Sequence, residues 1–422
     1  MSEYGWGVDA QEKKRKLNRL IANFSVGLGV FLLSFVMSEP APYELYMLGL
    51  MTVALLFGLR LTRVSSVLLA VFTVFNLGGM ISVMQMADIK SGPLYVAVSL
   101  FLALTSVFFA AFIEADYRRL RIIFNAYLLT ASITAILGIA GYFGLIPGAD
   151  IYTRYGRAKG AFEDPNVFGP FLVLPFTWCF YRCVRGRPRD IFIYLPLCCL
   201  LIPAILVSFS RATWIMTSIA VMFVFTIVFL KMQSNRARFY LVLVGLSTII
   251  SALVSILLLL QIPDVQSFFL ERMQLQEYDS DRHGRFARHW DGMLYAMEHP
   301  LGIGPLVFAP LFGEDTHNIW LKAALDYGWI GFFAFVMLTG LTLGLGFKFL
   351  LRQRPWQPFL LCTYATYLSH VLIGNVIDTD HWRHFYLLLG IIWGCIGLEY
   401  KYSQTRRASY GISPNRQVYV TE

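Results

Sequence analysis

The sequence predicts an all-α, polytopic membrane protein. Charged residues make up 14% of the chain and hydrophobic residues 57%, with a mean hydropathy of +0.59. Soluble domains carry roughly 25% charged residues. Apolar runs of about 18–23 residues recur along the chain, which is the length of a bilayer-crossing helix. Those runs are continuous rather than alternating, which argues against a β-barrel.

Twelve spans fit this pattern, and the charges between them fix their direction. Lys13, Lys14, Arg15, Lys16 and Arg19 precede the first span, at about 19–37, which places the N-terminus in the cytoplasm. No small-residue cleavage site follows that run, so it reads as a retained helix. Arg60 and Arg63 lie between the spans at about 43–59 and 64–86. Arg118, Arg119 and Arg121 lie between those at about 93–113 and 122–146. Arg182, Arg185, Arg187 and Arg189 separate spans at about 166–183 and 191–209. Lys231, Arg236 and Arg238 separate spans at about 212–230 and 239–261. Lys348, Arg352 and Arg354 lie between spans at about 329–350 and 357–375, and Lys401, Arg406 and Arg407 follow the last, at about 385–400. All these positives fall on one side if there are twelve spans, so both termini are expected in the cytoplasm. The net charge of +9 is explained by this bias, which removes the case for nucleic-acid binding. The chain reads as one membrane domain with a polar, disordered tail at 401–422. Cys179, Cys183, Cys198, Cys199, Cys362 and Cys395 sit in or at the ends of apolar runs and read as packing residues.

The opposite loops should be poor in Lys and Arg, and two are not. The 147–165 loop carries Arg154, Arg157 and Lys159. The 262–328 loop carries Arg282, Arg285, Arg288, His283, His289, His299 and His317. Arg211 stands alone in Ser208-Phe209-Ser210-Arg211, where two apolar spans meet. An ionisable residue at membrane depth is a functional candidate by default. The exceptions converge on one outer face and predict an anion site there, in a cleft capped by short helices of the large loop.

Arginine binds phosphate through a planar fork and stays charged. Positive charge is needed where a pyrophosphate leaving group gains negative charge. Histidine can take a proton from an attacking hydroxyl. Arg211, Arg285, Arg288 and His317 are therefore the catalytic candidates. Arg157, Arg154, Lys159, Asn166, Trp290 and Asn318 are the substrate-binding candidates, with Trp290 and Trp320 able to stack on sugars. Snorkelling to headgroups is the plain alternative for Arg211, and interfacial anchoring for the tryptophans. Gly302, Gly304 and Pro305 read as a turn that fixes backbone shape. Glu163-Asp164-Pro165-Asn166 reads as a helix cap. Asp279 with Asp281, and Asp378, Asp380, His381 and His384, have metal-ligand chemistry, but polar contacts near the cleft are the simpler reading. No metal or cofactor is expected.

Several ordered stretches then resemble a known family. They are Arg157-Ala-Lys-Gly-Ala-Phe-Glu-Asp-Pro-Asn166-Val-Phe-Gly, Ser208-Phe-Ser-Arg211, Arg285…Trp290…His299-Pro-Leu-Gly-Ile-Gly304, and His317-Asn-Ile-Trp-Leu…Tyr327-Gly-Trp-Ile-Gly331. The set resembles the O-antigen ligase/polymerase superfamily of bacterial integral-membrane glycosyltransferases. That resemblance implies a metal-independent enzyme that moves a glycan from an undecaprenyl-pyrophosphate carrier on the periplasmic face. It implies pyrophosphate binding by Arg211 and by Arg285 or Arg288, and activation of the acceptor hydroxyl by His317. Membrane lipid and other polysaccharide-assembly proteins are the remaining expected partners. A polymerase-like role in O-antigen, capsule or exopolysaccharide assembly is the first expectation, and a ligase to lipid A-core the second. A lipid-linked glycan flippase is a competing class. It should place ionisable residues inside several spans, whereas here the charges gather on one outer face. In a scaffold, the Arg/His loop would be idle.

Overall fold

The computed structural model describes residues 3–273 and 285–409. Helices dominate: α1 (Glu3–Leu32), α2 (Pro42–Leu56), α3 (Arg63–Val83), α4 (Gly92–Ala115), α5 (Arg119–Tyr142), α6 (Pro165–Phe171), α7 (Val173–Arg185), α8 (Ile191–Val207), α9 (Arg211–Lys231), α10 (Asn235–Leu259) and α11 (Pro263–Met273). After the undescribed stretch come α12 (Arg285–Glu298), α13 (Phe308–Phe312), α14 (Ile319–Leu350), α15 (Gln357–Ile373) and α16 (Arg383–Ser409). The chain is an all-α polytopic membrane protein. Every expected apolar run falls on helix, and eight helical stretches among the described residues, with α6 and α7 counted as one, are long and apolar enough to cross a membrane. The remaining runs lie on helices that are shorter, such as the 15-residue α2 and 17-residue α15, or that carry polar ends, such as α1 and α16.

The structure moves several boundaries. The run at 166–183 is two helices, α6 and α7, meeting at Leu172 between Pro170 and Pro175. Proline lacks the N–H that would continue the ladder. The span expected from 329 begins ten residues earlier, in a helix kinked at Gly328, which has φ +64. Residues 401–409, expected to be a disordered tail, continue α16 as helix.

Backbones approach closely where side chains are small. Gly390, Gly394 and Gly397 of α16 face Phe109, Ile113 and Glu114 of α4, and a Cβ at Gly394 would meet Ile113 Cβ at 2.7 Å. Small residues at such spacing let membrane helices pack by van der Waals contact, since lipid gives no hydrophobic drive. Gly78 of α3 likewise lies against Tyr327 O and Gly331 N of α14. The resulting core is large and contiguous, with α16 among its most buried elements.

Directions follow from side-chain ties. Lys231 at the end of α9 donates to Leu350 O at the end of α14, 3.1 Å away. The two helices therefore run parallel, and their N-termini share one end of the bundle. The start of α14 is bonded to the end of α15 through Ile319 N to Gly374 O at 2.8 Å, and α15 packs along α9. The 147–165 loop caps this end. It is more ordered than a plain loop: two short strands, β1 (Thr153–Arg154) and β2 (Arg157–Ala158), pair antiparallel, with Arg154 opposite Arg157. Val36 N donates to Ala161 O at 2.8 Å, tying the hairpin to the end of α1.

Candidate functional site

The candidate residues lie in two groups at the end of the bundle where α9 and α14 begin. Arg157 on β2 is 6% exposed. Its Nε donates to Ser208 O at 2.8 Å and its Nη2 to Asn166 Oδ1 at 2.7 Å. One guanidinium thus joins the hairpin, the end of α8 and the start of α6. Asp164 caps α6 by accepting from Asn166 N at 2.6 Å, as the sequence implies. Arg154 is exposed, donates to Glu163 O at 3.1 Å, and lies over the Tyr155 ring. Lys159 is half-buried; burial, then the positive charge of Arg154, hold it below the ordinary lysine range.

Arg211 is the first residue of α9 and is half-buried. It follows Phe209, whose φ of 46 puts a bulky residue in the left-handed region, and Ser210, whose side chain caps the helix by accepting from Thr213 N. Such backbone strain in non-glycine residues persists only where surroundings hold it.

His317 shows the same strain, with φ 49, in the segment that leads into α14. Both ring nitrogens face carboxylates: Nδ1 is 3.1 Å from Asp378 Oδ2 and Nε2 is 3.1 Å from Glu314 Oε1. A neutral imidazole offers one donor and one acceptor; only the protonated ring donates twice. The other oxygen of Glu314 accepts from Arg288 Nη1. Arg288, Glu314, His317 and Asp378 therefore form one continuous chain of polar contacts. Burial works to raise Glu314, but the hydrogen bonds from His317 and Arg288 hold it below the ordinary glutamate range. Of the two loop arginines left open by sequence, Arg288 is linked to the histidine through Glu314; the side chain of Arg285 lies outside the described residues. Arg282, His283, Asp279 and Asp281 lie outside them entirely.

Asn318 caps α14, accepting from Trp320 N at 3.0 Å and Leu321 N at 3.1 Å, while its amide donates to Asn375 O at 3.2 Å. These bonds give it a structural task that its place among the substrate candidates does not require. It also borders a groove of about 650 Å³ between α12 and α14, with Trp290, Trp320, Trp329, Met293 and His289 in its walls. Trp290 is exposed there. His299 instead donates from Nδ1 to Tyr295 O at 2.9 Å, on the stem of the 300–304 turn. That turn is held by Ile303 N to Leu325 O and Gly304 N to Ser82 Oγ, each 2.8 Å, and its glycines have φ +83 and +95. The structural reading of Gly302 and Gly304 holds.

A second layer adds Lys322, Asp315 and Asp326, which went unread in the sequence. Lys322 Nζ donates to Asp315 Oδ2 at 2.8 Å and lies 4.0 Å from Asp378 Oδ2. Asp380 bonds His381 Nδ1 at 2.7 Å and accepts from Tyr95 OH at 3.1 Å. Burial opposes its ionisation, yet Lys322 and His381 hold it well below the ordinary aspartate range. Asp326 is buried one turn beyond Lys322. A lysine and an aspartate four apart at the head of an apolar helix were the signal for this layer. Asp378, Asp380 and His381 make polar contacts, the simpler of the two sequence readings. Among the described residues, no three His, Cys, Asp or Glu side chains are grouped to hold a metal ion.

Residues 196–336 match the family model described as O-Antigen ligase. No curated protein matches the chain. The matched stretch runs from α8 into α14 and includes Arg211, Arg288, Glu314 and His317. Over residues 196–336 the chain is similar to that family's domain.

Proposed function

We propose that this protein is a metal-independent glycosyltransferase of the inner membrane, acting on the periplasmic face. It moves a glycan from an undecaprenyl-pyrophosphate carrier to a sugar acceptor in O-antigen, capsule or exopolysaccharide assembly. The observation that carries this reading is the contact chain Arg288–Glu314–His317–Asp378, at the end of the bundle where α9 begins with Arg211. In this reading Arg211 and Arg288 hold the pyrophosphate and spread the charge that develops as it leaves. His317 takes the proton of the attacking hydroxyl at Nε2, while Asp378 at Nδ1 orients the ring and stabilises the imidazolium. The new glycosidic bond forms as the bond from the sugar to the carrier phosphate breaks, and the phosphate leaves with its electron pair. Trp290 and Trp320 offer flat faces for sugar rings in the adjoining groove. Arg157, Asn166, Arg154 and Lys159 shape the rim that faces the donor.

Purified protein is tested with a lipid-pyrophosphate-linked oligosaccharide, with and without lipid A-core, against Arg211→Ala and His317→Ala. Longer glycan on the carrier alone is the polymerase outcome, which we favour. Product only with lipid A-core is the ligase outcome. Absence of transfer in both, with both variants unchanged in cells, would move the assignment to a lipid-linked glycan transporter.

A further inference from the structure

The two carboxylates on His317 are held very differently. Asp378 is the more buried, with 20% of its side chain exposed, and Lys322 lies 4.0 Å behind it. Glu314 is 39% exposed and follows Gly313, a left-handed glycine with φ +86 and open space around it. Glu314 is therefore the carboxylate that can swing away. Its two oxygens divide between the two groups that the proposed reaction needs, Arg288 Nη1 on one side and His317 Nε2 on the other. A carboxylate and a phosphate both present two oxygens to an arginine fork. Arg288 Nε is buried with no partner among the described residues, so the guanidinium still has a donor to spend.

We propose that Glu314 is a gate that mimics the substrate: its carboxylate occupies the place between Arg288 and His317 that the donor phosphate and the acceptor hydroxyl must enter, and the donor binds by displacing it. This rests on the reading of Arg288 as anion holder and His317 as base. Glu314 then lowers apparent donor affinity by the fraction of time it holds Arg288. In return it keeps a buried cation and a strained histidine partnered, since a buried charge without a partner is costly.

The test uses full-length protein in detergent with a lipid-pyrophosphate-linked oligosaccharide, and inorganic pyrophosphate as competing probe. Glu314→Gln should lower both the KM for the donor and the Ki of pyrophosphate by about tenfold. An unchanged KM and Ki with a fall in kcat would overturn the gate and make Glu314 an orienting partner of His317. If Glu314→Gln does not yield folded protein, Glu314→Asp serves: its shorter side chain spans only one of the two partners, so Ki should again fall, and an unchanged Ki overturns the proposal. Should the wild type transfer nothing, the glycosyltransferase reading has failed by itself. Thermal stabilisation by pyrophosphate then still decides the gate, being larger in Glu314→Gln if the gate exists and equal if it does not.

Discussion

At the scale of single residues, the proposed chemistry rests on a histidine held in a left-handed backbone between two carboxylates. His317→Ala should lower transfer by about 10²–10⁴-fold, the range of a lost general base, with folded protein unchanged by size-exclusion chromatography. Full activity in that variant would remove His317 from the mechanism. Asp380 gives a prediction about pH. It is held below the ordinary aspartate value of about 3.9 by Lys322 and His381, against the effect of burial. Its ionised form therefore stabilises the fold fully above that value, and the contribution is lost as pH falls through the depressed one. Thermal unfolding followed down the acid limb should show a shallower pH dependence in Asp380→Asn than in the wild type. Identical slopes would mean that other carboxylates carry the acid sensitivity. The buried Asp315–Lys322 pair beside it is weak evidence for stability by itself, because desolvation offsets its attraction.

At the scale of elements, α14 does two jobs joined by a kink. Its first turns present Asn318 and the buried Lys322 and Asp326 to the site, and its later turns form an apolar span. Gly328 separates them at φ +64, and a Cβ there would meet Leu301 O at 2.7 Å. Gly328→Ala should therefore cost about 1–3 kcal/mol in unfolding free energy and loosen the 300–304 turn. A thermal-unfolding midpoint equal to the wild type would refute this. Apolar length alone placed the start of this span too late, because the kink hides that helix continues on both sides of it. The hairpin at 153–158 was invisible for a related reason: two-residue strands carry no periodicity to read.

At the scale of the whole molecule, parallel α9 and α14 bring Arg211 and His317 to one end, although 106 positions separate them in the chain. The loop that carries Tyr155 caps that end, and Tyr155 is exposed. Tyr155→Cys should react with a membrane-impermeant maleimide in cells whose outer membrane is permeabilised, whereas Arg187→Cys, in an exposed turn of the opposite set, should react only after lysis. Five of the six native cysteines are buried, which keeps the background low. The reverse labelling pattern would invert the orientation and place the site in the cytoplasm.

The sequence by itself determined the helical membrane class, the places of the apolar runs and the ordered stretches that resemble the superfamily. Each of these is local: a run of apolar residues long enough for a bilayer, or a short string of residue types, is complete within its own segment. It also singled out Arg211, Arg288 and His317, since charge at a membrane boundary is rare enough to be noticed. Only the tertiary structure decided which groups meet. It joined Arg288 to the histidine through Glu314, turned Arg157 into a tie between three segments, and set Asn318 to cap a helix. It also brought Asp378 to His317 from a segment 61 positions away and set Lys322 behind that aspartate. Nothing in a linear pattern encodes those pairings, because hydrogen bonds between distant segments depend on how helices pack and which ends they share.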